Sequence, residues 1–336
     1  MAKLIAYREN GERVFLALLN NGAVTQTASG HIAGTRNTDE EISNAVRELM
    51  NKEGMKAAEG VAVLPDNACI MKEIDVTGMS AANLAMNLPY DFGEFVPAGQ
   101  EVNFVFDYQV LPVIKAEKPP KQKHKLFEKG KKEKEIRQPD RYRVLATAVS
   151  RGTVARQTEI AKDAGFTLTR LAPESVALGD LVAVSPYRDR ECCIISMGLD
   201  STVIRIYRKF ENIASHEINV GLRPVKMILG DHNFSFFDGN PAQRNAVFDT
   251  EECAETIKEL VSQIAYVLDY FAERGFYCAD TEVFLAEEGA IIAPLARDLS
   301  AQLGKDCRNV SALMRGKVKD EDAAMLAAAV GASIVR

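Results

Sequence analysis

The chain has 336 residues, 47% hydrophobic and 26% charged, with a formal net charge of -6; that size predicts about two domains and cores large enough to need no disulfide or metal staple. No run of about 18 apolar residues occurs, which excludes a membrane-spanning helix of ordinary length, and the opening Met-Ala-Lys-Leu-Ile-Ala-Tyr-Arg-Glu turns charged too early for a secretory signal, so a cytoplasmic protein is expected. The six cysteines (Cys69, Cys192, Cys193, Cys253, Cys278, Cys307) show no C-x-x-C spacing and sit mostly in apolar segments, which predicts free, buried thiols.

In chain order, Lys3 to Tyr7 and Arg13 to Leu19 are strand-like runs around Asn10-Gly11, a strong hairpin signal, and Asn21-Gly22 leads into a third short run at Ala23 to Ala28. Thr38 and Glu41 form a capping box ahead of Ile42, Ala45, Val46, Leu49 and Met50 at helical spacing. Gly60 to Leu64 suits an interior strand and Ile70 to Val76 another. Ser80 is placed to cap a short helix through Leu88, limited by Pro89, whose ring clashes with the preceding turn. Val102 to Leu111 is strongly β-prone, and Tyr142 to Val149 returns as a strand.

Between these two strands lies a charged excursion. From Lys115 to Arg143 twelve basic residues face five acids, a surplus of seven positive charges on a chain that is otherwise acidic. With Pro119-Pro120, Gly130 and few apolar residues, the segment is expected to be flexible or a solvated hairpin tip. Its acids and the lack of aromatic interleaving, with Phe127 alone between the flanking strands, argue against nucleic acid and leave an acidic protein partner or acidic lipid as alternatives.

Thr153 to Ala164 is a helix stopped by Gly165, Thr167 to Leu171 a strand, and Pro173 to Val182 a second helix, which is α/β wiring. Cys192 to Ser196 is a short apolar run, Gly198 to Ser201 turn chemistry, and Val203 to Tyr207 an alternating return, together a β-hairpin. A short helix around Leu222 to Leu229 follows, then a loop-like aromatic stretch from Gly230 to Val247. Cys253, Ile257, Leu260, Val261, Ile264, Leu268 and Phe271 make one face of a helix that stops at Gly275. A strand at Glu282 to Ala286, a helix at Ile291 to Leu303 and an alanine-rich helix at Glu321 to Val330 complete the chain.

Several residues fall together in an order that resembles the PilM family of type IV pilus assembly proteins, which is similar to the cell-division protein FtsA. They are Pro65, Lys72-Glu73-Ile74, Met79-Ser80, Val96-Pro97, Asp107-Tyr108-Gln109-Val110-Leu111, Ala164-Gly165-Phe166, Pro173-Glu174-Ser175-x-Ala177-Leu178 and the Gly198 hairpin. The Asp-Tyr-Gln-Val-Leu and Pro-Glu-Ser-x-Ala-Leu blocks are the specific parts. The resemblance implies an α/β, actin-like (ribonuclease H-like) fold with subdomains at 1–187 and 188–336. A strand-helix-strand-strand module is inserted at about 75–150, containing the basic segment 115–143, and the terminal helix crosses back to the first subdomain. It further implies a cytoplasmic scaffold at the inner face of the membrane, binding the short cytoplasmic peptide of a PilN-like inner-membrane protein and linking to pilus motor ATPases, with oligomers allowed.

Nucleotide motifs of the family are degenerate here. Where the first phosphate loop has Asp-x-Gly, this chain has Ala6-Tyr7-Arg8, which removes the acid that orders magnesium. The second loop reads Ser196-Met197-Gly198-Leu199-Asp200-Ser201-Thr202, a neutral hydroxyl replacing the acid, and the glycine run near the base becomes Ala286-Glu287-Glu288-Gly289-Ala290, whose carboxylates repel a polyphosphate. Ser196, Gly198, Ser201, Thr202 and Gly289 are therefore the candidates for residual nucleotide binding, with ATP and Mg²⁺ disfavoured, no catalytic residue and no metal site. Phe104, Phe106 and Tyr108 mark the region for the partner peptide, by strand addition or an apolar slot. His31, His124, His216 and His232 are too scattered in sequence to suggest a metal cluster. Two further readings stay open: an ATP-binding actin-like protein switched by nucleotide, and a small-molecule kinase of the same fold.

Overall fold

The computed structural model describes residues 3–10, 12–33, 38–77, 79–96, 99–111, 141–236, 240–289 and 291–334. Most of the basic segment, 112–140, lies outside the described residues, as does His124. The chain forms two compact units, Met1–Asp66 with Val154–Arg336, and Asn67–Thr153. The second begins earlier than the expected 75, because the strand at 70–77 belongs wholly to it.

The elements run β1 (Lys3–Glu9), β2 (Arg13–Asn20), β3 (Ala23–His31), α1 (Asp39–Lys52), β4 (Glu59–Leu64), β5 (Ile70–Thr77), α2 (Ala81–Asp91), β6 (Phe104–Val110), β7 (Arg141–Ser150), α3 (Arg151–Ala164), β8 (Thr167–Pro173) and α4 (Glu174–Val184). They continue with β9 (Cys192–Met197), β10 (Thr202–Arg208), β11 (Glu211–Ile218), α5 (Arg223–Asp231), α6 (Pro241–Phe248), α7 (Glu251–Glu273), β12 (Glu282–Glu287), α8 (Ala293–Leu303), β13 (Cys307–Asn309) and α9 (Asp320–Ala332).

In the larger unit two five-stranded sheets repeat one topology. The first runs β3-β2-β1-β4-β8 and the second β11-β10-β9-β12-β13. Each opens with an antiparallel three-strand meander and continues with two strands parallel to its first. The second meander is one strand longer than the expected hairpin. Its β10–β11 turn places Lys209 at φ 50 and Phe210 at φ 61, the left-handed geometry of a two-residue hairpin loop, made here by residues that carry no glycine or asparagine signal. The loop-like stretch after α5 likewise contains α6, which the Asn240 side chain caps by accepting from the Ala242 amide.

Helices α4 and α9 lie between the sheets. Their apolar side chains share one core with Ala6, Phe15, Ala17 and Val61 of the first sheet and Ile194, Phe284 and Ala286 of the second. The opposite strand faces are covered by α1 and α3 on the first sheet and by α5, α7 and α8 on the second. Strand alternation divides the adjacent cysteines accordingly, Cys192 facing α4 and α9 and Cys193 facing α7. All six thiols are free; Cys192, Cys193 and Cys253 are buried as expected, whereas Cys69 and Cys307 are half-buried and Cys278 is exposed. The capping box at α1 forms, with Glu41 N–H donating to Thr38 Oγ1 at 3.3 Å and Thr38 N–H to Glu41 Oε2 at 2.8 Å.

The smaller unit is a three-stranded antiparallel sheet of order β5-β7-β6 with α2 over one face. Val76, Leu84, Leu88, Phe92, Val96, Val144, Ala146 and Ala148 form its core. Helix α2 runs two residues past Pro89 instead of stopping at it. The proline lies in the last turn, where one lost N–H is tolerated, and Phe92 N–H still closes onto Leu88 O at 3.3 Å.

Candidate functional site: the cleft between the two sheets

Four chain ends converge at one end of the two sheets: the end of β1, the β9–β10 turn, the first turn of α4 and the end of β12. Together with α9 they line a cavity of about 140 Å³, whose polar lining is Arg8, Glu174, Ser196, Gly198, Ser201 and Glu288.

The β9–β10 turn is clamped from outside. Gly198 N–H donates to Ser201 O at 2.9 Å, while Gly198 O and Leu199 O accept from the Leu222 and Arg223 amides at 2.9 and 2.8 Å. These are free amides at the start of α5, so the turn's carbonyls satisfy a helix N-terminus. A Cβ at Gly221 would lie 2.4 Å from Gly198 O, so the approach needs a residue without a side chain there. Asp200 is exposed and pairs with Arg223 at 2.5 and 2.7 Å, and this hydrogen bonding lowers its carboxyl below the usual range. Thr202 faces away from the cavity, donating to Val220 O at 2.8 Å.

The floor of the cleft is ionic. Glu174 Oε1 meets Arg8 at 2.8 Å, and its Oε2 meets Arg205 at 3.1 Å. Arg205, 2% exposed, also reaches Asp66 Oδ2 at 3.0 Å and Ser196 Oγ at 3.3 Å. The other Asp66 oxygen accepts from both the amide and the hydroxyl of Ser175 at 2.9 Å. Burial alone would raise the Glu174 carboxyl, but Arg8 and Arg205 outweigh it and the group sits below the ordinary carboxylate range. Burial likewise opposes the Arg205 charge, and Glu174 and Asp66 more than restore it.

At the end of β12 the two glutamates behave differently. Glu287 is buried, accepts the Ile292 amide at 3.0 Å, and is pushed up to about 8 by desolvation, which that single bond only partly offsets. Glu288 is raised by burial too, against the opposing pull of the Asn10 side chain, which donates to it at 2.8 Å, and of Arg8.

No family model and no curated protein sequence matches this chain. Among solved structures it is similar to one described as the PilM-PilN type IV pilus biogenesis complex, at a TM-score of 0.68 and 16% identity over 98% of this chain and 97% of that one. It is also similar to the ethanolamine utilization protein EutJ from Carboxydothermus hydrogenoformans, at a TM-score of 0.55 and 11% identity over 99% of this chain and 90% of that one. The fold is actin-like. Two copies of a β-meander followed by parallel strands, with helices between the sheets, are that fold's plan, and the expected inserted module is present as strand, helix, strand and strand.

Within the actin-like cleft the sequence candidates are partly gathered. Ser196, Gly198 and Ser201 line the cavity together, whereas Thr202 is turned into the core and Gly289 lines a separate polar pocket with Arg13, Thr27 and Lys319. Phe104, Phe106 and Tyr108 belong to the smaller unit, on one face of β6 against its core; the Phe92 and Phe106 rings are 5.6 Å apart. Sequence reasoning missed Asp66, Glu174 and Arg205 as site residues. Arg205 alternates with Ile204 and Ile206 and so looks solvent-facing; only the acid in the Pro-Glu-Ser block hinted at a partner. Among the described residues no group of three or more His, Cys, Asp or Glu is placed to hold a metal, and no helix is long and apolar enough to cross a membrane.

Proposed function

We propose that this chain is a nucleotide-independent adaptor of a type IV pilus or related type II secretion-type assembly machine. It holds the short cytoplasmic peptide of a PilN-like membrane protein, is kept at the inner face of the membrane through that partner, and links to the motor ATPases. The likeness to a protein solved as a PilM-PilN complex carries this reading.

Chemistry in the cleft supports independence from nucleotide. A magnesium polyphosphate needs free carboxylate oxygens for the cation and unopposed N–H groups for the phosphates. Both Glu174 oxygens and both Asp66 oxygens are already engaged by Arg8, Arg205 and Ser175. Glu288 puts a carboxylate beside Gly198, and about 140 Å³ is small against the roughly 300–1,000 Å³ of ligand pockets. The donor set does not fit MgATP.

The smaller unit offers the peptide surface. Among the described residues β6 is an edge strand of its sheet, the position at which an added strand pairs. Six of the nine exposed large apolar residues described lie in this unit (Met86, Tyr90, Phe95, Val102, Val105, Val110), more than a solvated module needs. Phe104, Phe106 and Tyr108 then serve as its support, fixing β6 from behind.

Calorimetric titration tests both parts. MgATP should give no heat, and a synthetic peptide copying a PilN-like cytoplasmic tail should bind, with Val105→Asp and Tyr90→Asp, both at exposed positions, weakening it about tenfold or more. Micromolar MgATP binding would overturn the nucleotide-independent reading, and undiminished peptide affinity in both variants would move the site off this module.

A further inference from the structure

We infer that the cleft carries its own ionic clasp, a set of side-chain pairs that fixes the angle between the two sheet-bearing halves of the larger unit without a ligand. Among the contacts between the first half and the second, four side-chain pairs lie at the cleft. Arg205 on β10 holds Asp66 after β4 at 3.0 Å and Glu174 at the start of α4 at 3.1 Å. At the rim, Asn10 in the β1–β2 turn donates to Glu288 after β12 at 2.8 Å, and Lys226 on α5 meets Glu12 at 3.3 Å. Arg8 completes the centre by neutralising the second oxygen of Glu174 at 2.8 Å, so one buried carboxylate is shared by two guanidiniums from different halves.

The arrangement is graded from dry to wet. Arg205 is 2% exposed and the Glu174 side chain 12%, while the rim residue Glu12 is 59% exposed. Charges that cannot be hydrated are held to their partners far more strongly than exposed ones, so Arg205 with Glu174 and Asp66 is the pin and the rim pairs guide it. In proteins whose domains close on a ligand, bridging contacts between halves come from that ligand; here Arg8 and Arg205 bring the positive charge and Glu174, Asp66 and Glu288 the negative charge as parts of the chain. Closure is therefore intrinsic, and the cleft serves as a joint.

The clasp takes its meaning from the nucleotide-independent reading, yet the two fail separately. Small-angle scattering and amide hydrogen exchange on the full chain, with and without MgATP, should show one closed state for the native protein in both conditions. Arg205→Met, which keeps the side-chain length, should enlarge the radius of gyration and speed exchange at Gly198–Ser201 and Glu288 about tenfold or more, leaving amides of β5 and β7 unchanged. Should that variant fail to fold, the double variant Asn10→Ala with Lys226→Ala, which touches only the rim, is read by the same amides. Native exchange at the turn in every folded clasp variant overturns the clasp and assigns the angle to α4 and α9 packing and the Val24–Gly316 backbone bridge. A MgATP-dependent shift in the native protein overturns nucleotide independence instead.

Discussion

Among the described residues a single hydrogen bond, from the Ile292 amide, faces the buried carboxyl of Glu287, and its protonated form is favoured to about pH 8. Because the folded value lies above the unfolded one, the folded state binds more protons across the interval between them. The contribution is complete below the unfolded value of about 4.5, falls as pH rises, and is gone above about 8. Glu287→Gln keeps the acceptor oxygen and removes the titration. Stability of the native protein should therefore decline from pH 5 to pH 8 relative to the variant, by at most about 1.4 kcal/mol per pH unit. Parallel melting curves for the two proteins over that range would show that the group is charged in the fold. The sequence shows Glu287-Glu288 as two like charges facing a phosphate. Strand register separates them: Glu287 closes onto Ile292 in the core and only Glu288 reaches the cleft, a distinction that depends on tertiary burial and leaves no mark in a dipeptide.

Helices with an amphipathic stripe, such as α1 with its capping box and α7 without a side-chain cap, were legible because their signals are local. β13 was not, being three residues long, and α9 is a contrasting case: alanine-rich and buried on every side from Ala323 to Ala332, it has no stripe to reveal which neighbours it meets. Those small side chains let α9 approach α4 closely. At Gly331 the approach is closest, since an added Cβ would lie 1.9 Å from Ala177 O, a backbone atom that cannot swing aside. Gly331→Ala should cost about 1–3 kcal/mol through overpacking, although alanine is the better helix former at an unconstrained site. A raised or unchanged melting temperature for this variant would mean that the two helices are not in close contact. The same substitution at Gly230, where nothing lies within 4 Å of an added Cβ, is the matched control and should be neutral or stabilising.

At the scale of the larger unit, duplication was legible and its centre was not. Each half announces itself by consecutive turns and α/β order, which are local signals. The clasp joins Arg205 to Asp66 and Asn10 to Glu288 over 139 and 278 residues of chain, and only the folded sheets bring them together. Folding of the halves is coupled for the same reason. α4 and α9 supply one continuous core to both sheets, so neither sheet can bury its inner face alone. Cooperative unfolding of the whole unit is the expected outcome. In a urea series read by hydrogen exchange and mass spectrometry, peptides from β2 of the first sheet and from β9 and β12 of the second should lose protection at one urea concentration and with one slope. Two separated transitions would mean that each sheet is stable with only its outer helices, and the shared helices would then be a contact surface between independent domains.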